Sequence, residues 1–195
     1  MKIEFEATFT NIDKDEIRDR LKKSGAVLVR EEFLQKRVTF NFPIGHERTD
    51  GWLRVRDEGD KITMIIKIID GEKIENQKEI GLNVDDFSEA VEFLETIGCQ
   101  KKSYQETKRE LWILDDVEIT IDHWPFLEPL VEVEGKSEEA VKSISEKLGF
   151  DYAQAFFGCV SPLYVKKYNV SEEFVNNHVA EITFESNNPF ENNPS

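Results

Sequence analysis

Short stretches in which charged and apolar residues alternate are the feature of this chain that most limits its fold. The sequence reads Glu4-Phe5-Glu6 near its start, Leu53-Arg54-Val55-Arg56 in its first third and Val131-Glu132-Val133-Glu134 further on. A period of two is typical of a β-strand, in which successive side chains point to opposite faces. Each stretch therefore predicts a strand with one charged and one apolar face.

The same alternation recurs on other predicted strands. It places Lys67 on one face with Thr63, and Asp122 on one face with Glu118. On an open sheet a charged face is simply solvated, and a structural domain with such a surface is one alternative. Because the pattern repeats, we predict instead that the sheet closes, with charged faces lining an interior and apolar faces packed beneath helices.

Helix signals and strand-like runs divide the chain into an α+β order. Capping residues, apolar periodicity and terminal glycines predict helices over about 14–24, 87–97 and 138–148. Eight strands are predicted between and beside them, over about 2–9, 35–42, 52–57, 62–69, 78–84, 107–114, 117–122 and 130–135. The fold expected is thus a closed barrel with helices outside.

The chain is long enough for one well-buried domain, which we place at residues 1–168. The remainder, 169–195, is predicted to be a tail. A short helix is expected over about 172–179, and the Asn- and Pro-rich stretch from Ser186 to Ser195 is expected to be disordered.

Composition excludes several classes of partner. The net charge of −15 argues against nucleic acid and anionic membranes, which need clustered Lys and Arg. The longest uncharged run, Tyr152 to Val165, is too short to span a bilayer, and no apolar signal core follows Met1. Cys99 and Cys159 fit neither a disulfide framework nor zinc spacing. We expect a cytoplasmic protein that is a monomer or a homodimer.

A cavity lined by both signs of charge has a specific chemistry. Arginine forks bind phosphate oxygens bidentately and lysine adds a point charge. Clustered carboxylates repel one another, and they suit a hard divalent cation such as Mg²⁺ or Mn²⁺. A polyphosphate bridged by such a metal satisfies both halves. The three tryptophans, Trp52, Trp112 and Trp124, are expected to pack in the core or at the rim.

These residues resemble the CYTH, or triphosphate tunnel metalloenzyme, superfamily, which includes class IV adenylyl cyclases, thiamine triphosphatases and inorganic triphosphatases. The resemblance covers about residues 2–165 and rests on the order and spacing of short motifs. These are Glu4-Phe5-Glu6, Leu53-Arg54-Val55-Arg56, Lys67 after Met64-Ile65-Ile66, Thr107-Lys108-Arg109, Ile121-Asp122 and Val131-Glu132-Val133-Glu134. It implies an eight-stranded antiparallel tunnel, which agrees with the strand count.

The resemblance also implies roles for particular residues. The acids that it places on the metal side are Glu4, Glu6, Asp122, Glu132 and Glu134. The cations that it places on the triphosphate are Arg54, Arg56, Lys67 and Arg109. Lys108, beside Arg109, is a further candidate because a charged strand face would bring it to the cavity. Glu4, Glu6 and Lys67 are the catalytic candidates.

One departure from the family pattern affects activity. The family's opening motif is Glu-x-Glu-x-Lys, whereas this chain has Thr8 in place of the lysine. Threonine donates a hydrogen bond but brings no charge. Lys36, or Arg37 beside it, is a candidate for the missing cation. The activities that remain open are hydrolysis of a small organic or inorganic triphosphate, cyclisation of ATP to cyclic AMP, and binding without turnover.

Overall fold

A computed structural model describes residues 1–191 as one large antiparallel sheet with helices on its outside. The strands are β1 (Lys2–Ile3), β2 (Phe5–Phe9), β3 (Val27–Asn41), β4 (Gly51–Asp57), β5 (Ile62–Ile69), β6 (Gln77–Val84), β7 (Gln100–Leu114), β8 (Val117–His123), β9 (Leu130–Gly135) and β10 (Glu181–Ile182). The helices are α1 (Lys14–Ser24), α2 (Phe87–Thr96), α3 (Glu138–Lys147), α4 (Ser161–Tyr168) and α5 (Glu172–Asn177). Two short 3₁₀ turns lie at Ile74–Asn76 and Tyr152–Gln154.

The sheet curls into a nearly closed barrel. Its order is β1-β6-β5-β4-β3-β7-β8-β9-β2, so that the two ends of the sheet are neighbours in sequence. Only Glu4 separates β1 from β2, and its backbone N–H donates to the carbonyl of Gln77 at 2.9 Å. The first predicted strand therefore closes the barrel by pairing with β6 through one part and with β9 through the other.

The predicted antiparallel tunnel is confirmed, with nine strand segments in place of eight. The extra segment arises because the first strand is broken at Glu4. Two strands, β3 and β7, begin well before the predicted positions and reach 15 residues each. They pair with each other along most of their length at the centre of the sheet. A tenth strand, β10, was not predicted and runs parallel to β7.

Apolar faces of the barrel pack outward beneath the helices, as the alternation predicts. One cluster joins Ile17 and Leu21 of α1 and Val141 of α3 to strand residues such as Val131 and Val133. A second joins α2 to β3 and β4. Side-chain caps start these helices, because Asp13, Asp86 and Ser137 each accept hydrogen bonds from first-turn backbone N–H groups.

The C-terminal tail packs against the barrel. Phe190 is 2% exposed and its ring stacks on Tyr164 at 4.5 Å between centroids. The helix expected at 172–179 is observed as α5, and α4 precedes it. The disorder expected from Ser186 does not hold for residues up to Glu191, because the buried Phe190 anchors them; residues 192–195 lie outside the described part of the chain. Among the described helices, none is long and apolar enough to cross a membrane.

Candidate functional site

The interior of the barrel holds a cavity of about 430 Å³. Side chains of both charges line it, and most of them come from the inward-facing residues of the strands. The charged residues in its wall are Glu4, Glu6, Arg37, Arg54, Arg56, Lys61, Lys67, Glu79, Lys102, Arg109, Glu118, Glu132 and Glu134. A cavity of this size lies within the range of about 300–1,000 Å³ that is typical of small-molecule sites.

Three arginines on two adjacent strands form the cationic part of the wall. Arg37 of β3 lies opposite Arg56 of β4 in the sheet register, and Arg54 is two residues before Arg56 on the same face. Arg56 has a carboxylate partner, Glu58, at 2.6 Å. Among residues 1–191, the ion-pair partner of Arg54 is Glu79, at 3.8 Å. The cluster therefore carries more positive charge than its neighbours neutralise.

Arg37 is the least compensated of the three. Its side chain donates to the Gln35 side-chain carbonyl at 2.9 Å and to the Thr107 hydroxyl at 2.5 Å, and both acceptors are neutral. Among the described residues, no carboxylate forms an ion pair with it. Burial lowers the pKa of Arg37 well below its usual value, and repulsion from Arg54 and Arg56 lowers it further. An anion placed here would remove that repulsion.

Three carboxylates form the anionic part of the wall. Oxygens of Glu4, Glu6 and Glu134 all lie within 4.8 Å of one another. Glu6 and Glu134 are cross-strand neighbours on β2 and β9, which explains their approach. The ammonium of Lys67 lies 2.5 Å from Glu4 and 3.6 Å from Glu6. Burial alone would lower the pKa of Lys67, but Glu6 and Glu4 outweigh it, and the pKa is raised.

Desolvation and repulsion between like charges raise the pKa values of two of these carboxyl groups, the buried Glu6 and the more exposed Glu134. Burial raises the pKa of Glu6 well above its ordinary value, and the charge of Glu132 adds to the shift. Desolvation in the tunnel wall, followed by the charges of Glu4 and Glu118, raises the pKa of Glu134 to about 7. The ionised form of such groups is disfavoured, and a nearby cation stabilises it. The set of hard oxygen donors fits Mg²⁺ or Mn²⁺.

Asp122 and Glu132, the other two predicted metal acids, are bound to an arginine. Arg109 donates from Nε to Asp122 at 2.8 Å, forms a second contact with the same carboxylate, and reaches Glu132 at 2.6 Å. Burial would lower the pKa of Arg109, but Asp122 and Glu132 raise it well above its usual value. The structure thus brings Glu4, Glu6 and Glu134 together, whereas Arg109 binds Asp122 and Glu132. Glu132 still lies close enough to Glu6 for its charge to raise the Glu6 pKa.

Two predicted phosphate ligands do not line the cavity. Lys36 is exposed on the outer face of β3, and Lys108 lies outside the barrel with its ammonium 4.7 Å from the ring of Phe184. Both have the parity of outward-facing apolar residues, such as Val38 on β3 and Trp112 on β7. We correct the predicted site by replacing Lys36 with Arg37. On β3, Arg37 and Thr39 have the opposite parity to Lys36 and line the cavity.

Several polar atoms in the wall lack a hydrogen-bond partner although they are buried. They include Nε of Arg37, Arg54 and Arg56, and the hydroxyl groups of Thr63 and Ser103. Buried polar groups are normally paired, since an unpaired one costs about 1–3 kcal/mol. Their convergence on one cavity indicates that a ligand with several acceptor atoms completes this site.

A family model described as the CYTH domain matches residues 3–155. This match spans more than three quarters of the chain and includes the strands of the barrel apart from Lys2 at the start of β1. The chain belongs to the CYTH family. No curated protein matches the chain.

Solved structures share the CYTH fold with this chain. A conserved hypothetical protein from Pyrococcus furiosus is 22% identical, with a TM-score of 0.67 over 80% of this chain and 97% of that one. A candidate adenylate cyclase from Vibrio parahaemolyticus is 14% identical, with a TM-score of 0.69 over 83% and 97%. A candidate adenylyl cyclase from Hippeastrum, described as having a dominant triphosphatase activity, is 12% identical, with a TM-score of 0.57 over 86% and 97%. At these identities the likeness shows the fold alone.

Thr8, which replaces the lysine of the CYTH opening motif, is buried in the wall of the barrel. It is 4% exposed and lies opposite Glu132 in the register of β2 and β9. Its backbone also pairs with Phe156, donating at 2.9 Å and accepting at 3.0 Å. Lys67, from a different strand, is the cation that lies against Glu4 and Glu6 in this chain.

Proposed function

We propose that the protein binds a small triphosphate inside its barrel and hydrolyses a phosphoanhydride bond with the help of Mg²⁺ or Mn²⁺. One observation carries this proposal: Arg37, Arg54 and Arg56 converge on the cavity with too few carboxylates, and each has a buried Nε without a partner. Guanidinium groups match phosphate oxygens in geometry and charge. A chain of phosphates supplies the several acceptors that the three arginines need.

The carboxylates supply the second half of the site. Glu4, Glu6 and Glu134 would hold the metal, since their oxygens lie close together and desolvation and nearby carboxylates raise the pKa values of Glu6 and Glu134. A divalent cation at such a site neutralises charge on a transferred phosphoryl group. Lys67 pairs with Glu4 and its charge also interacts with that of Arg54, so that it would bind a phosphate oxygen beside the metal acids. Arg109 holds Asp122 and Glu132 in position behind the site.

Hydrolysis is favoured over two alternatives that the fold also permits. The structural neighbours include one described as an adenylate cyclase candidate and one described as having dominant triphosphatase activity. Cyclisation of ATP is therefore the second candidate. Binding without turnover is the third, because Thr8 brings no charge to the position of the motif lysine. A cytoplasmic location, the absence of a nucleic-acid partner and a monomeric or dimeric state stay predictions.

Release of phosphate and of cyclic AMP tests the activity. We expect the wild-type protein to release phosphate from a triphosphate with Mg²⁺ or Mn²⁺ and to stop when a chelator is added. Glu6→Gln should abolish turnover, and Thr8→Lys should raise it, because a charge-assisted contact that strengthens in the transition state is worth on the order of a few kcal/mol. Release of cyclic AMP in place of phosphate would favour the cyclase. Binding without any release, by both the wild type and Thr8→Lys, would favour the third alternative.

A further inference from the structure

One part of the cavity wall comes from the C-terminal tail and is largely apolar. Its polar residues are Ser161, which donates to the Asn176 side-chain carbonyl at 2.9 Å, and the neighbouring Lys102. Tyr164 of α4, Val175 of α5 and Ile182 of β10 line this part together with Trp124, which follows β8. None of the four is more than 6% exposed, and all belong to one hydrophobic cluster. Phosphate groups gain little from such a wall, because they need charged or hydrogen-bonding partners. This compartment therefore suits a ligand group that is mostly apolar and carries a few hydrogen-bonding atoms.

The tail that forms this compartment lies beyond the residues that define the family. The CYTH match ends at 155, whereas the tail residues of the compartment begin after it. Parallel pairing of β10 with β7 places Ile182 beside Gln105, another lining residue. Phe190 stacks on Tyr164 and fixes α4 from behind. The shape of the compartment is thus set by this chain's own tail.

Two buried polar atoms in the compartment have no partner. The indole N–H of Trp124 and the hydroxyl of Ser103 both lack a hydrogen bond, although their residues are only 6% and 3% exposed. An indole N–H only donates, whereas a hydroxyl both donates and accepts. Apolar walls with a few convergent polar groups are typical of sites for organic ligands.

The compartment adjoins the arginine cluster directly. The guanidinium of Arg37 lies 4.5 Å from the ring centroid of Trp124. Arg37 also lies beside Arg56 in the sheet register. A phosphate bound by these arginines would leave any group attached to it within reach of Trp124 and Ser103.

We propose that this tail-lined compartment binds a heteroaromatic group carried by the triphosphate, so that the substrate is an organic rather than an inorganic triphosphate. The inference rests on the proposed function, because the arginines must hold the phosphates for the attached group to enter the compartment. A planar ring packs against the aromatic and aliphatic walls, and its heteroatoms accept from Trp124 and exchange hydrogen bonds with Ser103. Tripolyphosphate has no such group and would leave the compartment unused.

Titration calorimetry with three probes tests the assignment. ATP and thiamine triphosphate each carry a heteroaromatic group, and tripolyphosphate carries none; all three are titrated with Mg²⁺ present. Cys159→Phe fills the compartment from a half-buried position in its wall. We expect this substitution to weaken the binding of the tighter organic probe by about tenfold or more. It should weaken the binding of tripolyphosphate by less than about twofold. Comparing the two organic probes identifies which ring is preferred.

A second variant and a control keep the result interpretable. Ser103→Ala removes one hydrogen-bonding group, and we expect it to weaken only the organic probe, by about three- to tenfold. Ser88→Phe adds the same ring on the exposed side of α2, and it should change neither the affinity for the organic probe nor that for tripolyphosphate. The inference would be overturned if Cys159→Phe and Ser103→Ala lowered the affinities for organic and inorganic probes equally, or if neither variant changed any affinity. Triphosphate binding itself would still stand. If no probe binds the wild type, the proposed function itself fails.

Discussion

At the scale of single residues, the surroundings of two acids in the barrel, Glu6 and Glu134, disfavour their ionised forms. Glu6 is buried beside Glu132, and Glu134 faces Glu4 and Glu118. The raised pKa values mean that Glu6 and Glu134 bind a proton more tightly in the folded protein than in the unfolded chain. The ligand-free site is therefore destabilised by its own carboxylates whenever they are ionised.

This arrangement predicts a pH dependence of stability in the absence of metal. The raised pKa of Glu134, about 7 against an ordinary 4.5, means that its favourable contribution is complete below pH 4.5 and is lost as pH rises through about 7. We expect the free energy of unfolding, measured with urea in chelator, to fall between about pH 5 and pH 8. Glu134→Gln should make the fall shallower and raise stability at the upper end.

The control for this measurement is Glu146→Gln, on the exposed side of α3. The Glu146 side chain is 56% exposed and pairs only with Lys142, at 4.0 Å. It should keep the wild-type dependence on pH. A wild-type stability that rises over this interval, or a Glu134→Gln slope equal to that of the wild type, would contradict the description of the acidic cluster.

Much of the residue-level site follows from the period of two in the strands. Parity alone separates Arg37 from Lys36 and Arg109 from Lys108, since Val38 and Trp112 mark the outward faces. The pairing of Arg109 with Asp122 and Glu132 does not follow from the sequence. It depends on which of several carboxylates a long guanidinium side chain reaches, and that choice is made by three-dimensional packing.

At the scale of elements, the tail is a structural part of the barrel wall. Phe190 lies between aromatic neighbours, with Tyr164 at 4.5 Å and Tyr168 at 5.3 Å, and the hydroxyl of Tyr168 donates to the Phe126 carbonyl at 2.7 Å. The hydroxyl of Tyr164 donates to the Pro125 carbonyl at 2.8 Å. These contacts fasten α4 to the loop that follows β8.

We predict that Phe190→Ala destabilises the protein by about 3–5 kcal/mol, the cost typical of removing a buried phenylalanine ring. Chemical denaturation monitored by circular dichroism measures the change. Phe93→Ala is the matched control, because Phe93 is 57% exposed on α2 and should alter stability by no more than about 0.5 kcal/mol. Equal, small effects of the two substitutions would mean that the tail does not pack as described.

Elements with local signals were predictable and those without were not. The helices α1, α2 and α3 carry side-chain caps and were placed within a residue or two. Helix α4 has Val160 at its N-cap position with no side-chain hydrogen bond, so Pro162 in its first turn is a weaker signal of its start than a capping side chain. The first part of β3 is largely exposed and lacks the alternation that marks a half-buried strand. Pairing with β7 keeps it extended.

At the scale of the whole molecule, the barrel sorts its residues by face. Apolar faces point outward beneath the helices, and the charged faces enclose the cavity. The interior of this barrel is therefore charged rather than apolar. A charged ligand would provide partners for the buried polar atoms of the cavity wall. A triphosphate that binds only the folded protein should then raise its apparent stability.

The most direct test of triphosphate binding compares, by calorimetry, substitutions of two cationic residues on the neighbouring strands β4 and β3. Arg54 lines the cavity, and burial followed by repulsion from Arg56 lowers its pKa to about 10; Lys36 is exposed on the outside of the same sheet. We expect Arg54→Met to weaken tripolyphosphate binding in Mg²⁺ by about 1.5–3 kcal/mol, the scale of a hydrogen bond to a charged group. Lys36→Met should leave the affinity unchanged. Equal affinities for the wild type and Arg54→Met, or a loss at Lys36 as large as at Arg54, would contradict a triphosphate site inside the barrel.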